Sequence, residues 1–379
     1  MVVRLGVGRM KRREVISLLG GAAAWPLAAR AQQPTMPVIG FLDPTSRDTY
    51  APYLVPFRSG LEEAGFVEGR NVAIEFRWGD DRYDQLPALA HDLVRRNVRL
   101  IVATGITAAS AVKSATTSIP LVFHTGGDPV RFGLVASLNR PGGNVTGVVS
   151  LGKILVVKQF ELLHELAPNS EAFGFLINPR NAVAELDIND ARAAASALRQ
   201  RLILFNAGTE GEIDEAVAAA AKMRVGALLI QVDPYLQARR NQLVALTTRY
   251  RIPAIHYYRD FAVAGGLMSY GANLRDAFRL VGNYAGRILK GEQPADLPVQ
   301  QSAKLELAVN LKTARLGSRH ADLDPTARRR SDRIGRKLLR RMCRASGTKP
   351  AYGNAMNLSP LTKRTGDSRI YCLGGPRRL

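Results

Sequence analysis

The polar residues best placed to do chemistry stand directly after apolar runs. Asp43, Thr45 and Ser46 follow one such run, and Thr104, Gly105 and Thr107 follow another. Thr125 and Asp128 come after LVFH, Asn178 after AFGFLI and Asp233 after ALLIQV. Tyr258 closes IPAIHYY, and Tyr270 closes AGGLMSY. This is an inventory for binding. If Thr104–Gly105–Thr107 opens a helix, its free backbone N–H groups suit an anion such as a carboxylate. Plain helix capping by Thr107 is an equal reading. Asp128 precedes Pro129 and either caps the next helix or meets a ligand. Asp233 could pair with an ammonium. It and Asn178 each precede a proline, so a turn role competes. Tyr257 and Tyr258 alternate, so one of them faces the cleft side, where an aromatic wall stacks on flat apolar ligands. His124 and His256 end predicted strands on the same side, while His91 and His164 fall in helices. No two histidines have metal-ligand spacing. G-x-S-x-G, H-E-x-x-H and P-loop signatures are absent. The inventory fits a binding protein, neither an enzyme nor a cofactor protein.

The elements that must hold these residues repeat one unit. Residues 119–150 read as strand, polar turn, a short helix over 132–138, and strand, which is one βαβ unit. Before it come a strand at 37–43, a helix at 56–64, a strand at 71–78, a helix at 86–96, a strand at 100–104 and a small-residue helix at 108–115. Alternating β and α predicts a parallel, doubly wound sheet with its ligand loops at strand C-termini. The pattern restarts with a helix at 156–166 and a strand at 172–177. Helix 185–198, strand 202–205, helix 212–223, strand 227–232, helix 239–250 and strand 252–258 follow. A short strand or turn at 266–271 leads into a helix through 289, and 298–309 reads as two extended segments. The predicted fold class is therefore α/β: two doubly wound parallel-sheet lobes joined by a hinge, with a cleft between facing strand ends. The hinge is expected near Ser150 and Gly271.

The net charge of +21 over 379 residues suggests nucleic acid until it is located. Residues 1–31 carry six Lys/Arg against one acid, and 313–379 carry seventeen against four. The intervening body is close to balanced, with thirty against twenty-seven. A phosphate-binding face should lie on the folded body, so no nucleic-acid partner is expected. Both cysteines, Cys343 and Cys372, lie in the basic tail and decide nothing about compartment. At the other end, Lys11-Arg12-Arg13 precedes a short Gly/Ala/Leu-rich segment ending in Ala29-Arg30-Ala31, the tripartite pattern of an export signal. Its paired arginines suit the twin-arginine route. An ordinary signal or a membrane anchor is the alternative, and Met10 is a second candidate start.

Several longer motifs then resemble one family. MKRREVISLLGGAAAWPLAARAQQ (10–33), PVIGFL (37–42), FRSGLEEAGFVEGRN (57–71), TGGDPVRFGLVASLNRPGGNVTGV (125–148), AGGLMSY (264–270) and LPVQQSAKLELAVNLKT (297–313) occur in order. Together they resemble the ABC-transporter substrate-binding proteins with the type I periplasmic-binding-protein fold, the group with tryptophan- and tyrosine-type uptake receptors. The resemblance implies a monomeric periplasmic receptor that captures a small-molecule solute by hinge closure and delivers it to an ABC permease. The expected domains are an export signal (1–31), an N-terminal lobe (32–150), a C-terminal lobe (151–271), a segment returning to the N-terminal lobe (272–315) and a basic tail (316–379). The tail departs from the family. A frameshift or a natural basic extension would account for it, and a frameshift would remove closing residues of the first lobe. A ligand sensor or an enzyme on the same two-lobed scaffold is the alternative function.

Overall fold

The structure, a computed structural model, describes residues 36–150, 153–168, 170–302, 304–310, 312–314 and 368–373. The expected export signal and most of the basic tail lie outside the described residues.

Two parallel-dominated sheets organise the chain. The first takes β1 (Val38–Asp43), β2 (Ala73–Trp78), β3 (Leu100–Thr104), β4 (Leu121–Thr125) and β5 (Val145–Ser150), with α1 (Arg47–Glu63), α2 (Leu86–Arg95) and α3 (Gly105–Ala115) between them. Strands β1, β3, β4 and β5 are almost wholly buried apolar runs, as expected for parallel strands covered on both faces. The second sheet takes β6 (Ala172–Ile177), β7 (Arg201–Asn206), β8 (Ala227–Ile230), β9 (Ala254–His256) and β10 (Met268–Ala272). Its helices are α4 (Lys153–Leu166), α5 (Ala184–Ala197), α6 (Glu210–Lys222), α7 (Pro234–Ala238), α8 (Arg240–Arg249) and α9 (Arg259–Val263). Then come α10 (Leu274–Leu289), β11 (Gln300–Ser302), β12 (Leu305–Asn310) and β13 (Ser368–Leu373).

The strand orders are β11-β5-β4-β3-β1-β2 and β13-β12-β10-β9-β8-β6-β7. Both contain the same doubly wound core. The order reverses between β1 and β3 in the first sheet and between β6 and β8 in the second. Crevices open at such switch points, outside the carboxyl ends of the strands.

Four expectations are corrected. Residues 132–138 form turns, not a helix. Gly133 has φ +65°, a left-handed value that stops helical propagation, yet β4 and β5 still pair in parallel. Helix α1 starts at Arg47, nine residues before the expected start. Pro52 and Pro56 sit inside it, carried by a buried stripe of Tyr50, Tyr53, Leu54, Phe57 and Leu61. The expected helix at 239–250 is α8, with the short α7 ahead of it, but the strand expected at 252–258 is only β9, which ends before Tyr257. The fourth concerns the closing segment. Helix α10 and strand β11 do return to the first sheet. Phe278 stacks on Tyr53 at 5.3 Å, and β11 pairs with β5. The chain then crosses again, because β12 pairs antiparallel with β10 of the second sheet. The halves are thus joined at three places: after Ser150, after Ala272, and between Ser302 and Leu305. Gly271 lies within β10, where a Cβ would meet Tyr257 O at 2.2 Å, so it is a packing glycine inside the sheet.

Helices α1 and α10 pack almost backbone to backbone. A Cβ on Gly60 would lie 1.9 Å from Arg279 O, and one on Gly282 would lie 2.0 Å from Phe57 O. G282A is expected to lower stability by about 2–3 kcal/mol, because both partners are backbone and have to shift. Urea midpoints test this, and an unchanged midpoint contradicts it.

Candidate functional site

A cavity of about 130 Å³ lies where the two switch points face each other. From the first half it is lined by Pro44 after β1, Thr104–Gly105–Ile106–Thr107 at the β3–α3 junction, and Thr125–Gly126–Gly127–Asp128 after β4. From the second half come Asn181 after β6, Gln231, Val232 and Pro234 after β8, and Tyr258 after β9. Of the residues expected to bind, Thr104, Gly105, Thr107, Thr125, Asp128 and Tyr258 are brought together here.

The α3 end is built by a diverted cap. Thr104 holds the N-cap position but makes no side-chain capping bond, because its hydroxyl donates to the Asp43 carboxylate. The first-turn amides of α3 are therefore left without a side-chain cap beside the cavity. Gly105 has φ +78°, which a side chain would strain. Thr107 is not the cap; it sits inside the first turn. Asp128 Oδ1 accepts from Val130 N at 2.9 Å and Arg131 N at 3.2 Å, so its carboxylate is engaged in the turn.

The other expected residues stand behind the walls. Asp43 is fully buried and accepts from Thr45 N and Thr45 Oγ1, each at 2.7 Å. Burial pushes its carboxyl up to about 7 against the pull of the hydrogen bonds from Thr104 and Thr45. Ser46 begins α1, with its hydroxyl 3.2 Å from Thr49 Oγ1. Asp233 is fully buried, and burial raises its pKa. It accepts from Leu236 N at 2.8 Å, Asn181 Nδ2 at 2.8 Å, Asn178 Nδ2 at 3.3 Å and Tyr83 hydroxyl at 2.9 Å. Those four donors fill the carboxylate, so the expected pairing with a ligand ammonium has no free oxygen to use. Asn178 serves that network. Of the two adjacent tyrosines, Tyr258 reaches the cavity while Tyr257 is packed behind it. Tyr270 lies in β10 away from the lining; its carbonyl accepts from Gln159 Nε2 at 2.8 Å, and Gln159 itself lines the cavity.

His124 also lines the cavity, bonded to Ser150 Oγ at 3.0 Å, and burial pushes its imidazole down to about 4. His256 is buried away from the lining, held down to about 3 by burial. Among the described residues no group of three or more His, Cys, Asp or Glu could hold a metal ion, and no helix is long and apolar enough to cross a membrane.

Sequence reasoning missed the aromatic and apolar walls. Tyr50 was hidden by the late start assigned to α1, and Tyr83 sits in a single 3₁₀ turn. Val156, Phe175, Leu186 and Leu229 carry no motif, and Phe132, inside the 125–148 motif, has no polar group to single it out; only the fold turns them inward. Asp187 lies in the first turn of α5, where an acid passes as a complement to the helix dipole. The first and second halves also touch across the rim: Tyr83 reaches Asp233, Arg239 pairs with Asp81 at 3.0 Å, and the Tyr53 hydroxyl donates to Asp260.

The model of the family described as "ABC transporter substrate binding protein" matches residues 38–317. The chain belongs to that family. Its members bind small-molecule solutes and work with ABC permeases. A "Tyrosine-binding protein" of Clostridioides difficile is 24% identical over 257 residues, covering 68% of this chain and 74% of that one. A solved structure described as an ABC domain in complex with L-Trp, from Streptococcus pneumonia, is 25% identical with a TM-score of 0.67, covering 75% of this chain and 95% of that one. A conserved domain protein of Vibrio cholerae has a TM-score of 0.69 at 23% identity, covering 78% and 98%. Within the family this chain has the two-lobed α/β architecture of type I periplasmic binding proteins.

Proposed function

We propose that this protein is the exported receptor of an ABC uptake transporter and that it captures one aromatic amino acid in the interlobe cavity. The observation that carries the reading is a cavity between the two halves with an uncapped helix start at one end and aromatic walls around it. The ligand carboxylate lies against the first turn of α3, at Gly105, Ile106 and Thr107. The ring lies among Tyr50, Phe132, Phe175 and Tyr258. Relatives whose descriptions name L-Trp and tyrosine support an aromatic ligand. Micromolar affinity needs about 8 kcal/mol, within reach of a few charge-assisted hydrogen bonds and one buried ring. The lobes close about the three crossings, and the closed monomer docks on the permease. The twin-arginine route carries it out, and residues 1–31 are removed.

Thermal shift with L-tryptophan, L-tyrosine, a dicarboxylate and a sugar tests the ligand class. A ligand that binds only the folded form raises the midpoint. An increase with an aromatic amino acid alone is expected. A rise with the sugar or the dicarboxylate alone removes the reading. Mass spectrometry of the periplasmic fraction should find the chain without its first 31 residues.

A further inference from the structure

We propose that the cavity selects for a positive charge on its ligand and that Asp187 reads it. This rests on the aromatic amino acid reading above and adds to it the residue that recognises the ammonium.

Asp187 lies in the first turn of α5 and lines the cavity from the second half, together with Asp190 one turn on. One of its oxygens is held: Gln231 Nε2 donates to Oδ2 at 2.8 Å. The orientation of that amide is not free. Gln231 Oε1 accepts the backbone N–H of Asn178 at 2.8 Å, so the Gln231 amide group must point its N–H at Asp187. The pair is thus a carboxylate held in place by a side chain that a strand end orients. No protein donor reaches Oδ1 among the described residues, and no Lys, Arg or His forms an ion pair with Asp187 there.

A largely buried carboxylate is normally paired. Here the surrounding charges are wrong for that. Burial first, then Asp190 and Asp233, push the carboxyl up to about 7. Among the described residues Arg131 is the one Lys or Arg that lines the cavity, and it belongs to the turn held by Asp128 in the other half; His124, also in the lining, is kept neutral by burial. The counter-charge that the described residues do not supply is the one that an amino-acid ligand carries. The opposite end of the cavity, at α3, suits its carboxylate. A zwitterion satisfies both ends; a simple carboxylic acid leaves Asp187 buried and alone. Asp233, also an acid at a strand end of this half, has all its acceptor positions used within the protein.

Calorimetric titration with two matched probes tests this: L-tryptophan and indole-3-propionate, which lacks only the ammonium. The wild-type protein is expected to bind L-tryptophan about 100-fold more tightly than indole-3-propionate. D187N should lose most of that preference, weakening L-tryptophan about 100-fold while leaving indole-3-propionate nearly unchanged. D187S, which removes the carboxylate by a smaller side chain, should do the same. Equal loss for both probes assigns Asp187 a structural role and overturns the proposal, as does no loss for either. A wild-type protein that binds the two probes equally overturns it without any variant. A wild-type protein that binds neither defeats the aromatic amino acid reading itself, and the proposal falls with it.

Discussion

D43N is expected to be more stable than the wild-type protein above pH 7, by about 4 kcal/mol at the ceiling, and indistinguishable from it near pH 3. The figure is the shift from 3.8 to about 7 at roughly 1.36 kcal/mol per unit. Below pH 3.8 Asp43 is protonated in both the folded and unfolded chain, so its titration contributes nothing. As the pH rises, the unfolded carboxyl ionises first while the buried one keeps its proton. The folded state then loses stability with each step until about pH 7, above which the full cost is present. Asparagine has no such cost, and it fits the site. Its oxygen can accept from Thr45 N and Thr45 Oγ1, and its amide can donate to the Thr104 hydroxyl, which then turns round. His124 and His256 act in the opposite sense, since their lowered pKa values remove stability as the pH falls from about 6.5 towards 4 and 3. They act equally in both proteins and cancel in the difference. Urea unfolding of both proteins at several pH values between 3 and 8.5 measures it. Parallel stability curves would dismiss a raised Asp43.

The second large effect belongs to Asp233. D233A should cost about 3 kcal/mol or more, because it leaves four donors buried without an acceptor, one of them the N-cap bond of α7. Y83F removes a single contact of that set, the one that spans the cleft. Its expected cost is about 1.5–3 kcal/mol, drawn from the closed arrangement and not from either half alone. A hydroxyl-to-carboxylate bond of that size corresponds to about a 10- to 100-fold faster ligand release. The two variants therefore separate: D233A shifts the unfolding midpoint, whereas Y83F changes the scattering radius of the free protein and the off-rate. If Y83F alters neither, the Tyr83–Asp233 bond does not hold the cleft. The remaining rim contacts, Arg239 with Asp81 and Tyr53 with Asp260, provide a second route to the same measurement.

What could be read along the chain has a common physical character: it depends on near neighbours. A strand buried on both faces is an unbroken apolar run, so LIVAT and AFGFLI were visible as strands, and the polar residues after them as rim residues. Alternation of such runs with helical spacing was enough for two doubly wound lobes. The misses are of one kind too. Two prolines in α1 are tolerated because a sheet and α10 hold the helix from outside, and no local rule can weigh that. The turn at 132–138 has helical spacing but a left-handed glycine, Gly133, at its second residue.

The candidate site divides along the same line. Thr104, Gly105, Thr107, Thr125, Asp128 and Tyr258 were legible because strand ends at a switch point are places, and the pattern of elements names them. Whether a polar group there is free was not legible. Asp43 and Asp233 are both acids at strand ends. One is turned inward by two threonines, and the other is filled by four donors from two segments of its own half and one of the opposite half. Asp187 has the local context of an ordinary helix-start acid, and only Gln231, forty-four residues away, fixes it beside the cavity. Local order thus determined the elements, the two-lobed class and the rim positions of this protein, because those follow from backbone periodicity and burial over a few residues. The partner of each buried carboxylate, the third crossing, into β12, and the walls of the cavity were decided only in three dimensions, because a hydrogen bond depends on distance in space and not on separation in the chain.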